Sequence, residues 1–132
     1  MCQLANELKF AKADIPFYKI VLKGRYDIES PFVHTPLTFG WNKANDTPDM
    51  EQEMSRIEEG FIHVFVHQYE AKFYAEHKVP GGVVVKGYIP KGTYYYDGVT
   101  IDLYYDEDFG KTVMEYYQTM AAPEVVLTDY AE

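Results

Sequence analysis

Three histidines and one glutamate are the residues whose types and spacing come nearest to a metal site. His63 and His67 are four residues apart, and Glu70 and His77 follow them. On a continuous helix this spacing puts both histidines on one face, where they bind zinc with a third ligand from Glu70 or His77. The stretch 61–66 has the composition of a strand, however, where the two rings lie two strand repeats apart and cannot hold one ion. We therefore expect no metal site, a partly buried His63 hydrogen-bonded to the backbone, and His67 and His77 on the surface.

A second group that could do chemistry is acidic: Asp102, Asp106, Glu107 and Asp108. Carboxylate oxygens are ligands for hard cations, but this spacing does not match the Asp-x-Asp-x-Asp-Gly loop that binds calcium. The group therefore predicts a solvated turn. A bolder interpretation joins it to the acidic residues within 46–59 as a surface that imitates nucleic-acid phosphates, for which the net charge is permissive.

Aromatic residues are the unusual feature of the composition, with 13 Tyr, 8 Phe and 1 Trp in the chain. Tyrosine favours half-buried strands, because its ring packs on the sheet while its hydroxyl reaches a polar partner, and it is also enriched at protein interfaces. Two interpretations therefore stand side by side, a β-rich core with amphipathic edges and a tyrosine-rich binding face. The candidate binding residues are Trp41, Tyr94, Tyr95, Tyr96, Tyr104 and Tyr105.

Length and charge limit the class of protein. A chain of 132 residues builds one compact core, so we expect a single domain over 1–132. The net charge of −9 disfavours general binding to nucleic acid or anionic membranes. No apolar run approaches the roughly 20 residues of a membrane span, and the start lacks a secretory signal, so we expect a soluble cytoplasmic protein. The lone Cys2 excludes an internal disulfide and has no fixed partner for catalysis.

The elements that must position these residues follow from hydrophobic periodicity. The spacing of Leu4, Leu8 and Ala11 predicts a short helix or an ordered arm within 1–15. Proline and glycine predict a long loop over 30–48, and apolar spacing predicts short helices over 49–59 and 68–77. The segment 111–120 has features of both a helix and a strand. Strands are predicted at 17–23, 61–66, 83–89, 93–96, 100–105 and 124–127, with a turn at Asp97-Gly98.

Several of these segments together resemble a family of small uncharacterised phage and gut-bacterial proteins. The resemblance rests on Ser30-Pro31-Phe32, on Glu59-Gly60-Phe61 with His63 close behind, on Val83 to Lys86, and on Ile89 to Gly98. It spans most of the chain and implies an accessory protein of phage or mobile-element type. No activity comes with it.

Two shorter segments resemble the ADP-ribosyltransferase fold: the turn 89–93 and the strand 123–127. That resemblance implies an NAD-binding enzyme in which Arg25 and His63 hold the dinucleotide. Glu124 would stabilise the oxocarbenium-like ribose as nicotinamide leaves. The family's Ser-Thr-Ser strand is replaced here by 61–66. The alternative is that Arg25 pairs with a surface carboxylate and Glu124 is a solvated residue at a strand edge.

Taken together, the sequence predicts an α+β domain with a mixed, mainly antiparallel sheet and two or three short helices. We expect a protein-binding module that uses a tyrosine-rich, acidic surface, has no cofactor and possesses edge strands that favour a homodimer. The alternative is an ADP-ribosyltransferase-like enzyme with NAD as cofactor.

Overall fold

The computed structural model describes residues 2–23, 28–30, 36–43 and 61–131 of the chain. Ten strands and one helix lie in these ranges. They are β1 (Cys2–Phe10), β2 (Ile15–Lys23), β3 (Ile28–Glu29), β4 (Pro36–Leu37), β5 (Gly40–Lys43), β6 (Ile62–Phe65), α1 (Gln68–Lys78), β7 (Val83–Ile89), β8 (Tyr94–Asp106), β9 (Lys111–Ala122) and β10 (Glu124–Tyr130).

The sheet is antiparallel throughout the described pairings, with strand order β1-β8-β9-β6-β2-β7-β10-β5. β3 pairs with the end of β2 and with β4. The prediction of an α+β fold with two or three helices is wrong, because strands make up 64% of the structure and helix, in a single segment of the described residues, only 11%. The predicted helix over 49–59 and Arg25 lie outside the described residues.

The segment predicted as a helix or arm within 1–15 is the edge strand β1, paired with β8. The spacing of Leu4 and Leu8 fits either structure, because residues four apart lie on the same face of a helix and also on the same face of a strand. The loop predicted over 30–48 contains the short strands β4 and β5. The segment 111–120 is the strand β9, and β6, α1, β7 and β10 confirm the predicted element types.

The two larger hydrophobic clusters lie on opposite faces of the sheet, and a third, smaller one consists of Phe61, Tyr96 and Ala121. One face packs α1 through Ala71, Tyr74 and Ala75 against Ile20, Phe65, Val84 and Tyr117. The other face gathers the alternate residues of the same strands, among them Phe17, Val21, Val64, Val85, Ile89, Val125 and Leu127. The helix therefore covers only part of one face of the sheet. Its length determines which strands it packs against. No helix in the described ranges is long and apolar enough to cross a membrane.

Candidate protein-binding surface

The distal half of the β8–β9 hairpin projects from the sheet as a two-stranded arm, which we define as residues 101–116. β8 and β9 pair continuously from Tyr96↔Ala121 to Asp106↔Lys111. Their outer neighbours stop short, since β1 reaches only Ile101 on one side and β6 pairs only with residues 119–122 on the other. Beyond Ile101 the arm therefore has no strand partner on either edge in the part of the chain that the structure describes.

The turn at the tip of the arm is built by Asp106. Its Oδ1 accepts hydrogen bonds from the backbone N–H of Asp108 at 3.0 Å and of Phe109 at 3.4 Å. Gly110 closes the turn with a φ of 63°, a conformation that residues with a Cβ rarely adopt. The predicted acidic turn is thus present: the carboxylates of Asp102 and Asp106 accept backbone N–H groups, while Glu107 and Asp108 are exposed.

The inner face of the arm rests on α1 through polar contacts. Asp102 and Glu115 are directly opposite each other in the hairpin, an arrangement of like charges that costs stability by itself. Each carboxylate accepts a tyrosine hydroxyl: Tyr74 donates to Asp102 at 2.9 Å, and Tyr117 donates to Glu115. Burial and these carboxylates raise the pKa of both phenols, so both remain protonated donors at neutral pH. Lys78 adds a hydrogen bond from Nζ to the carbonyl of Leu103 at 2.6 Å.

The outer face of the arm is apolar and open. Four side chains that alternate along the two strands point away from α1, and each is more than half exposed: Leu103, Tyr105, Met114 and Tyr116. Phe109 at the tip is 75% exposed. Leu103 and Met114 are direct cross-strand neighbours, so the apolar side chains form a continuous strip rather than isolated residues. A contiguous apolar strip rimmed by charged residues is typical of an interaction surface.

The structure does not gather the predicted binding residues into one surface. Tyr96 is buried, and Tyr95 packs against the core. Tyr104 lies on the inner face of the arm with its ring 5.7 Å from that of His77. Tyr94 is exposed beside Phe10 at the opposite end of β8, and Trp41 is exposed on the far edge strand β5. Of the six, Tyr105 alone belongs to the outer face of the arm.

Leu103, Met114 and Tyr116 were missed by the sequence analysis. Apolar residues alternate with polar ones through Ile101, Leu103 and Tyr105, and again through Met114 and Tyr116. Such alternation marks one face of a strand, and the acidic turn between the two segments shows that both belong to one hairpin. What the alternation cannot reveal is that none of the described residues covers this face.

Two of the three residues expected to act on NAD, His63 and Glu124, lie in the described ranges. His63 is on β6, where it pairs with Ala121 of β9. Glu124 begins β10 three residues after Ala121, so the chain itself holds the Cα atoms of His63 and Glu124 within roughly 17 Å of each other. Glu124 faces Lys43 of β5, with 3.7 Å between Nζ and Oε1.

His63 lies beside Lys19, a buried lysine that the sequence analysis overlooked. β2 and β6 pair only at Tyr18↔Phe65 and then separate, which leaves the carbonyl of His63 without a ladder partner. Lys19 is 7% exposed, and its Nζ donates to that carbonyl at 2.8 Å. Burial lowers the pKa of Lys19 to about 8. Burial and the nearby Lys19 charge lower the pKa of His63 to about 4, and its buried Nε2 has no hydrogen-bond partner. The hydrogen bond that the structure shows at His63 therefore uses its backbone carbonyl.

We expect the neutral His63 to make the fold sensitive to acid. The imidazole of His63 takes up a proton near pH 6.5 in the unfolded chain but only near pH 4 in the folded chain. The free energy of unfolding therefore carries the full contribution of neutral His63 above pH 6.5 and loses it as the pH falls from 6.5 to 4. The shift corresponds to a loss of about 3 kcal/mol over that range. His63→Leu is expected to remove this pH-dependent part of the unfolding free energy. The measurement is the difference in unfolding free energy between variant and wild type, taken at pH 4.5 and again at pH 7. His77→Leu, at an exposed histidine, is the control, and an identical pH dependence in both variants would contradict the assignment.

No group of three or more His, Cys, Asp or Glu side chains within the described ranges is arranged to hold a metal ion. Comparisons with protein-family models, with curated proteins and with solved structures find no match to this chain.

Proposed function

We propose that the chain is a protein-binding module, of the accessory kind carried by phages and mobile elements, that contacts its partner through the outer face of the arm. The observation that supports this most directly is the strip of Leu103, Tyr105, Met114 and Tyr116, exposed on a ribbon whose other face is fixed to α1. Interfaces are enriched in tyrosine and methionine at their centres.

Charge determines the kind of partner. The strip ends at the acidic tip with Glu107 and Asp108, and the whole chain carries a net charge of −9. A partner surface with an apolar centre and basic residues around it is complementary to this arrangement, and opposite charges accelerate the encounter. A second copy of the chain carries the same negative charge, so we propose a different protein as the partner.

Removing the aromatic surface is expected to abolish partner capture. We expect the immobilised wild-type protein to retain a specific protein from an extract of gut bacteria, and the double variant Tyr105→Ser/Tyr116→Ser to retain less than a tenth as much. The two exposed rings contribute about 1 kcal/mol or more each when they fill a partner pocket. Quantitative mass spectrometry of the retained proteins measures the ratio.

The matched control is Tyr94→Ser, which removes the same ring at a similar exposure from the opposite end of β8. It should capture the partner as well as the wild type does. Equal capture by the arm variant and the wild type would overturn the proposal. A wild-type dimer in sedimentation velocity that the arm variant dissociates would also overturn it, by assigning the face to self-association.

A further inference from the structure

A groove lies at the base of the arm, between the start of α1 and β9. It has a volume of about 370 Å³ and is open to solvent on one side. Tyr116, which belongs to the outer face of the arm, also forms one wall of the groove. The groove and the strip are therefore continuous, and a partner that covers the strip also reaches the groove.

The groove walls are aromatic. The rings of His67 and Tyr69 stack with 5.4 Å between their centroids and an angle of 25° between their planes. Tyr69 and Tyr116 are both largely exposed, so part of each ring is accessible to a ligand that enters the groove from solvent. The negative face of an aromatic ring attracts cations, and planar guanidinium groups also stack on it.

The groove also contains a carboxylate. Glu70 lines it from the first turn of α1, and its Oε1 accepts the backbone N–H of Gln118 in a long contact of 3.4 Å. Beside it, Nε2 of His67 donates to Oε1 of Gln118 at 2.7 Å, because an amide oxygen can only accept. The carboxylate of Glu70 thus places one negative charge among the aromatic rings of the groove. The described residues that line the groove include no lysine or arginine to neutralise this charge.

We infer that this groove receives an arginine side chain of the partner protein. The inference rests on the proposed function and specifies one contact within it. Arginine fits better than lysine, since its planar guanidinium can stack on Tyr69 or Tyr116 while donating two hydrogen bonds to Glu70. The negative charge of the chain favours the same choice of a basic partner.

A titration with blocked arginine, N-acetyl-arginine methylamide, tests the groove directly. We expect saturable shifts of the backbone amide signal of Gln118 in NMR spectra, with a dissociation constant in the millimolar range. Blocked citrulline has nearly the same shape without the charge, so it should produce no saturable shift. Glu70→Gln should weaken binding about fivefold, the effect of a single solvent-exposed charge pair.

Glu76→Gln is the matched control, since it removes the same charge from an exposed position of the same helix. No saturable shift, equal binding of citrulline, or equal weakening by the two glutamate variants would each overturn the arginine site.

Partner capture then separates this inference from the proposed function. Loss of capture in Glu70→Gln supports the inference. Unchanged capture in Glu70→Gln, combined with loss in the Tyr105→Ser/Tyr116→Ser variant, overturns the arginine contact and leaves the proposed function standing. Unchanged capture in the arm variant overturns the proposed function itself, whatever the titration shows.

Discussion

Gly87→Ala is expected to destabilise the fold by about 3 kcal/mol or more, because the added methyl group has no space. Gly87 is central in β7, opposite Phe17 on one side and Leu127 on the other. A Cβ at this position would lie 2.1 Å from the carbonyl oxygen of Val126 and 3.0 Å from the Cα of Leu127. Both atoms belong to the backbone of the neighbouring strand, so a rotamer change cannot relieve the overlap. Urea denaturation measures the loss.

Gly92→Ala is the control for this substitution. Gly92 has a φ of 91° in an exposed turn, and a Cβ there would meet no atom within 4 Å. Its cost is therefore backbone strain alone, about 1 kcal/mol. A loss in Gly87→Ala no larger than that in Gly92→Ala would show that β7 and β10 can separate at little cost, and the close approach of the two strands would not determine stability.

Lys19→Met is expected to stabilise the protein at pH 7 and to lose that advantage at pH 10. The unfolded chain keeps the Lys19 proton up to about pH 10.5 and the folded chain releases it near pH 8, so wild-type stability rises with pH between these values. The difference corresponds to about 3 kcal/mol. Methionine avoids the burial of charge but leaves the carbonyl of His63 unpaired, which costs about 1 kcal/mol. The net gain at pH 7 is therefore about 2 kcal/mol.

The measurement is the difference in unfolding free energy between wild type and Lys19→Met, taken at pH 7 and pH 10. Taking the difference cancels tyrosine ionisation, which both proteins share. Lys86→Met, at an exposed lysine of β7, should leave the difference independent of pH. A pH-independent difference for Lys19→Met as well would mean that the ammonium reaches water, contrary to its burial.

The sequence predicted elements well where local pattern and tertiary environment agree. The predicted bounds of the strand 83–89 equal those of β7, and its run of valines followed by a Pro-Lys-Gly turn leaves little choice. The prediction from local sequence failed at Asp97-Gly98, a dipeptide common in hairpin turns that here lies inside the continuous strand β8. Opposite these residues, β1 has a register shift between Ala5 and Glu7. Nζ of Lys9 forms a salt bridge with Oδ2 of Asp97 at 2.7 Å. A strand far away in the chain therefore decides the conformation of a local turn motif.

The candidate site was less predictable than the fold. Tyrosine clusters indicated an interface, yet neighbouring residues of a strand point to opposite faces, so Tyr104 and Tyr105 have different roles. Which face α1 covers depends on where the helix packs, and α1 itself has no strongly apolar stripe. Exposure of the arm depends on where β1 ends along β8 and where β6 ends along β9. No short sequence motif encodes the register between segments that are distant in the chain.

The pairing of β1 with β8 has a consequence for how the molecule folds. Phe10 pairs with Tyr94 and Cys2 with Ile101, so the partners are separated by 84 to 99 positions along the chain. Closing a loop of that length is entropically unfavourable until the intervening strands have assembled, and contacts of such high sequence separation slow folding. During synthesis β1 emerges well before β8, and it has no partner for most of that time. We therefore expect β1 to join the sheet after the local hairpins have formed, and the edge of β8 to be open to aggregation until it does.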